Sequence, residues 1–402
     1  MNDTTLQPRA FSRTDQSFLG AWWWTIDKVT LYALIFLIVV GTALVASASP
    51  SVAQTIGVSD FHFLMKHIII VIPSFILLVC ISMLSPRSIW RGGTLLFLGT
   101  VCLLVLVLLV GTEVKGARRW INIFGFSLQP SEILKPAFAV LSAWLIALHK
   151  KSTEQQNNKP DFKGWHITIM LYLLMIMLLL QQPDFGMSAM LTLVFATQIF
   201  IAGLRFRYLA GLAVAGVACV GAAYASLDHV RSRIDRFFNP ESGDTFQVDK
   251  SLDAIRSGGV VGVGPGQGVE KTDLPDAHAD FIFSVLVEET GLLFSTVIVG
   301  IFLFIIIRGF KRLQDTQDLF SILAAGGLLA MFGFQSLIHI GSAINILPAK
   351  GMTLPFLSYG GSSLLSMAIS FGVILALTRQ RMRESIARTS INMRRSKGEA
   401  HV

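Results

Sequence analysis

Val29-Thr-Leu-Tyr-Ala-Leu-Ile-Phe-Leu-Ile-Val-Val-Gly-Thr-Ala-Leu-Val-Ala-Ser-Ala-Ser49 contains no charged side chain. A bilayer's hydrocarbon core is about 30 Å thick and a helix rises about 1.5 Å per residue, so a run of this kind is long enough to cross it. Nine further runs share that character: Phe63–Leu84, Gly93–Gly111, Ile133–His149, Ile167–Gln181, Phe185–Gly203, Tyr208–Ser226, Asp280–Ile307, Phe320–Gly341 and Gly361–Thr378. The whole chain follows the same pattern. Of its 402 residues 53% are hydrophobic and only 14% charged, where a soluble domain carries about 25% charged residues. The reading is an all-α polytopic membrane protein of about ten spans. Disordered, collagenous, coiled-coil and disulfide-scaffold classes are excluded.

Lys and Arg set the orientation. With the N-terminus inside, the inner segments hold Arg9, Arg13, Lys28, Arg87, Arg91, Lys150, Lys151, Lys159, Lys163, Arg205, Arg207, Arg308, Lys311, Arg312 and the basic residues after Thr378. That bias predicts N-in and C-in. It divides the chain into a cytoplasmic tail (1–28), one transmembrane domain (29–378) with an outer loop at 227–279, and a basic cytoplasmic tail (379–402). No cleavage site follows the first apolar run, so it is expected to remain as a span. Trp22, Trp23 and Trp24 read as an interfacial belt. The net charge of +8 fits loops facing anionic lipid better than a nucleic-acid partner. Cys80, Cys102 and Cys219 lie in apolar runs and suggest neither disulfides nor a metal motif.

Basic residues on the outer side stand against that bias. Lys115, Arg118 and Arg119 share one short loop, and Lys135 lies inside the fourth span. Arg231, Arg233, Arg236, Lys250, Arg256 and Lys271 occupy the long loop. Long loops escape the bias, but the short loop and an intramembrane lysine do not. An outward-facing anion site is one reading.

Three stretches carry the candidate chemistry. Lys115-Gly-Ala-Arg-Arg-Trp-Ile is followed by Gln129-Pro-Ser-Glu-Ile-Leu-Lys135, where Glu132 and Lys135 share a helix face. They form either a structural ion pair or a cation held ready for phosphate, with the Arg118 or Arg119 fork beside it. A glycine-rich run, Gly258 to Gly268, leads into Leu274-Pro-Asp-Ala-His-Ala-Asp280-Phe-Ile-Phe. The run lies in an outer loop, so a nucleotide fold is not expected, and it reads as flexible backbone near the membrane surface. Asp280 is either a helix cap or a general base at the membrane boundary. Glu288 and Glu289 follow inside a span, where acids are functional candidates. Leu347-Pro-Ala-Lys350-Gly-Met-Thr-Leu-Pro-Phe-Leu-Ser-Tyr-Gly-Gly-Ser-Ser363 is either an ordinary loop or one that dips against a wet cavity. No Walker motif, zinc spacing, Gly-x-Ser-x-Gly elbow or transporter-type repeat is present.

Together these stretches resemble the SEDS family (shape, elongation, division and sporulation), and the Lys350-Gly-Met-Thr-Leu-Pro version resembles its cell-division branch. The resemblance implies a peptidoglycan glycosyltransferase at the septum, polymerising lipid II at the periplasmic face of the bacterial inner membrane. Its partners would be a class B penicillin-binding protein and other division proteins. The acceptor's 4-hydroxyl would attack the donor's anomeric carbon with inversion and expel undecaprenyl diphosphate. The family's essential carboxylate falls on Asp280, and its other ionisable loop positions on Arg119, Glu132, Lys135 and Lys350. Lys115, Arg118, His278, Glu288 and Glu289 complete the substrate-binding candidates. His278-Ala-Asp280 and Val287-Glu288-Glu289 depart from the family's usual His-Thr-Asp and Gly-Glu-Glu. Charge on the leaving group would be met by Arg119, Lys135 and Lys350, alone or with a divalent cation. A flippase for the same lipid and a non-catalytic division scaffold are the rival readings.

Overall fold

The computed structural model describes residues 17–114, 117–123, 125–155, 164–203, 206–226, 228–239, 245–348 and 351–379. Among these the helices are α1 Phe18–Thr25, α2 Lys28–Thr55, α3 His62–Ser82, α4 Pro86–Val110, α5 Pro130–Gln155, α6 Gly164–Gln181, α7 Phe185–Ile201, α8 Phe206–Ser226, α9 Asp228–Phe238, α10 Phe246–Gly258, α11 Ile282–Gln314, α12 Leu319–Ala343 and α13 Gly361–Leu377. Each of the ten apolar runs becomes a helix, α2 to α8 and α11 to α13. Seven are long and apolar enough to cross a membrane, while α7 and α13 are shorter apolar helices.

The helices are not equivalent. In the most apolar stretches of α5 and α12, 78% and 72% of residues are buried, against 17% in α3 and 22% in α4. So α5 and α12 are inner helices, and α13 is another, since nearly all of its residues are buried. Outward Ile69, Ile72 and Ile76 on α3 and Leu95 and Leu98 on α4 are the lipid-facing surface a bundle in hydrocarbon requires. Buried polar groups join the inner helices. Gln198 on α7 donates to the Ala139 carbonyl and accepts from Ser142.

Two features depart from the sequence reading. First, the loop after α4 is a sheet. Strands β1 Thr112–Val114, β2 Ala117–Ile123 and β3 Phe126–Leu128 pair antiparallel in that order. Trp120 lies opposite Thr112, and Ile121 opposite Leu128.

Second, the eighth span does not begin at Asp280 and is not continuous. It starts at Ile282, with Phe281 as N-cap and no side-chain cap, and breaks at Gly291 (φ 76°, ψ 175°). Asp280 is therefore not the N-cap of this helix. The chain turns before the helix because Asp276 adopts φ 54° and its carbonyl accepts from Ala279 and Asp280 amides. The glycine-rich run fills the break and is not a flexible surface segment. Leu292 and Leu293 amides donate to Gly259 and Val260 carbonyls, and Val263 and Gly264 amides donate to Glu288 and Glu289 carbonyls. Backbone freed inside a membrane helix must find protein partners, and here it does. A Cβ on Gly291 would lie 2.3 Å from the Val261 carbonyl carbon, so the break admits only glycine.

Candidate active site

Successive spans alternate in direction. The start of α3, the sheet, the starts of α5, α11 and α13, and the segment after α12 therefore gather at one end of the bundle. There they enclose a cavity of about 580 Å³. Phe63, Lys66 and Ile70 come from α3, Trp120, Asn122 and Ser127 from the sheet, and Gln129 and Glu132 from the start of α5. Asp276, His278 and Asp280 come from the turn before α11. Gly351, Thr353 and Tyr359 follow α12, and Ser362 and Ser363 open α13.

The two loops that flank Asp280 are tied together. The Tyr359 amide donates to the His278 carbonyl at 2.9 Å. The rings of Phe63, His278 and Tyr359 pack with centroids 4.4 to 5.4 Å apart. Gly351 crosses directly over the carboxylate. It holds φ +59°, and a Cβ there would lie 3.0 Å from Asp280 Oδ2. Asp280 itself is half-buried. Burial pushes the His278 imidazole down to about 4, against a small opposing effect of the Asp276 charge, so it is neutral at physiological pH. Its Nδ1 is buried with no hydrogen-bond partner among the described residues. Burial also raises the Tyr359 phenol above its ordinary range.

Behind the cavity wall lies the ion pair read from Gln129–Lys135. Lys135 Nζ is 2.8 Å from Glu132 Oε2, and both are buried. The ammonium also donates to Gln335 Oε1 on α12 at 2.8 Å. Gln335 in turn donates to the Thr353 carbonyl at 3.0 Å and to Ser363 Oγ at 3.3 Å. The lysine is thus fixed from two helices, and its network reaches side chains that line the cavity.

Other candidates lie elsewhere. Arg119 donates through Nε to the Gln182 carbonyl at 3.0 Å and through Nη2 to that of Pro183. Arg118 faces Glu113 at 3.5 Å. Glu289 pairs with Lys271 and accepts from Ser47 on α2. Glu288 accepts from the Glu270 and Lys271 amides. These two acids serve the α11 break and do not line the cavity. Lys115 and Lys350 lie outside the described residues. Lys66 and Gln335 are absent from the sequence reading. A lone lysine near a span end reads as snorkelling, and a lone glutamine in a span has no pattern to betray it. Among the described residues no group of three or more His, Cys, Asp or Glu is placed to hold a metal ion.

Residues 28–383 match the cell cycle protein family of FtsW, RodA and SpoVE. The chain belongs to that family. A probable peptidoglycan glycosyltransferase FtsW of Caulobacter vibrioides is 41% identical over 373 residues, covering 92% of this chain and 94% of that one. The protein of the same name from Coxiella burnetii is 34% identical over 88% of this chain and 96% of its own. Among solved structures, a chain of a peptidoglycan synthase complex that coordinates polymerization and crosslinking superposes with a TM-score of 0.72 at 24% identity, covering 88% of this chain and 97% of that one. The rod shape determining protein RodA of Thermus thermophilus gives 0.65 at 24% identity, over 89% and 97%. These two share the fold, including its broad plan of membrane helices. The division-branch family expected from the motifs is the one found.

Proposed function

We propose that the chain is a peptidoglycan glycosyltransferase of the division branch and that the cavity around Asp280 is its active site. The observation that carries the site is the placement of Asp280. It is the carboxylate beneath Gly351 in a polar cavity at the end of the bundle, where a headgroup sugar can reach it. The cavity end faces the periplasm, since the inner connections hold most of the basic residues.

Asp280 accepts the proton of the acceptor sugar's 4-hydroxyl as its oxygen bonds to the donor's anomeric carbon. The bond from that carbon to the diphosphate breaks with its electron pair, and the lipid diphosphate leaves. A neutral His278 adds no competing cation beside the base. Lys66 on the cavity wall, and Lys135 fixed behind Glu132, supply positive potential for the departing charge without reorganisation. Lys115, Lys350 and Arg119 are further candidates from the loops. The carboxylates lining the cavity are Glu132, Asp276 and Asp280, and they make no preformed metal centre. The partner in this reading is a class B penicillin-binding protein that crosslinks the nascent strand.

Lipid II polymerisation by the purified chain with its penicillin-binding partner tests this. Asp280→Asn should reduce polymer by ~10²–10⁴-fold while leaving expression and partner co-purification unchanged. Near-normal polymer from the variant sinks the base assignment. Lipid II translocation without polymer from the wild type favours the flippase reading.

A further inference from the structure

The opposite end of the bundle holds a second built feature. A cavity of about 360 Å³ at the end of α11 is lined by Phe304, Ile307, Arg308, Lys311, Arg312 and Asp315. Arg308 and Arg312 both grip Asp27, with Nε atoms 2.8 Å from Oδ2, and Asp27 is buried. Arg308 uses Nε and Nη2 for that carboxylate. Arg312 meets it through Nε, and both arginines line the cavity and are only part-buried. Lys311 is exposed and makes no ion pair among the described residues.

Height in the membrane is fixed by the neighbours. Lys28 Nζ lies over the rings of Trp23 and Trp24, 4.7 and 4.1 Å from their centroids, and such aromatic belts sit at headgroup level. About one turn deeper, Phe304 and Ile307 are 44% and 46% exposed, at acyl-chain level. Lys28, Arg308, Lys311 and Arg312 against Asp27 and Asp315 leave an excess of positive charge.

We propose that this cluster is a headgroup site for an anionic phospholipid, with a doubly phosphorylated headgroup the best charge match. The guanidinium groups, held by a buried carboxylate, present fixed donors to phosphate oxygens. The apolar side chains below them receive the acyl chains. The site lies at the far end from the Asp280 cavity and does not depend on the reaction assigned there.

Native mass spectrometry of the purified full chain, titrated with cardiolipin or with phosphatidylcholine, tests it. The wild type should retain cardiolipin and not phosphatidylcholine. Lys311→Gln and Arg312→Gln should each weaken cardiolipin retention about five-fold, the effect of one basic residue near an anionic surface. Lys151→Gln, on the same side but away from the cavity, should leave it unchanged, and millimolar inorganic phosphate should not displace the lipid. Equal retention of both lipids overturns the proposal. So does an equal loss in Lys151→Gln, which would mean general surface charge, or unaltered retention in Lys311→Gln. Displacement by phosphate overturns the lipid assignment and leaves a plain anion site. Lys311 is exposed and makes no ion pair among the described residues, so its variant reads binding.

Discussion

Lys135 and Lys271 are both buried lysines paired with glutamates near the cavity end of the bundle, yet their surroundings differ. The Lys135 pair is made within one helix, between residues three apart, and Glu132 opens onto the cavity. The Lys271 pair joins the long outer loop to the broken span α11, and Ser47 of α2 closes it from the third side. One pair borders the cavity. The other fastens a loop into a gap in a membrane helix. A buried ion pair is therefore no functional signal by itself, and its access to the cavity is what separates the two uses.

The sharpest way to break this comparison is to remove each lysine's charge while keeping its length. Lys271→Met leaves Glu289 sealed at the α11 break without its partner, and breaking a buried pair costs ~3–5 kcal/mol. The expected outcome is a loss of thermal stability and of detergent-solubilised yield, largely restored in Lys271→Met/Glu289→Gln, where no unpaired charge remains. A single variant as stable as wild type would mean that the loop is not held by this pair.

Lys135→Met should behave differently. Glu132 faces the cavity, so it can be hydrated or protonated once its partner is gone. The protein should fold and bind its partner while polymer formation falls about 10²-fold, the scale for losing one preorganised electrostatic contact. Stability lost in parallel with Lys271→Met would place Lys135 among the structural lysines. Polymer retained near wild type would remove it from the substrate site.

The same two regions show what could be read from the residues. All ten apolar helices were legible, because a long apolar run in lipid leaves few alternatives to a helix. Their ends ran further than the apolar runs; α4 begins at Pro86, not Gly93, since a helix continues through the headgroups with polar residues. The sheet was missed. Its signal is short: Phe124-Gly125 between Ile121-Asn-Ile123 and Phe126-Ser-Leu128, with Gly125 at φ +81°. Asp280 reads from the sequence as either a helix cap or a general base, and the residues alone do not separate the two. The turn that moves it off the helix depends on a left-handed Asp276, which composition does not announce. Gly291 was the one local sign that the eighth span breaks, and the glycine run that fills the gap lies 23 or more residues earlier in the chain. Such long-range complementarity is visible only in three dimensions. It is also what assigns Glu288 and Glu289 to the break and Glu132 to the cavity.

The smallest expected effect concerns His278, a buried group on the cavity side of the comparison. Its imidazole has a folded value of about 4 against an ordinary 6.5, because burial disfavours the charged form. Above pH 6.5 it is neutral folded or unfolded and contributes no pH dependence. As pH falls from 6.5 towards 4, the unfolded chain takes up a proton that the folded chain does not, so stability falls. Below 4 both states are protonated and the slope ends. By pH ~5.5 the loss amounts to about 1 kcal/mol. His278→Phe keeps an aromatic ring against Phe63 and Tyr359 and removes the titration, while every other histidine stays in place. Its Tm should therefore decline less steeply with acid than that of the wild type between pH 6.5 and 4, and run parallel above. Parallel curves throughout would mean that the folded imidazole titrates at its ordinary value and is not held neutral by burial, so that it would take up a proton beside Asp280 as pH falls below 6.5.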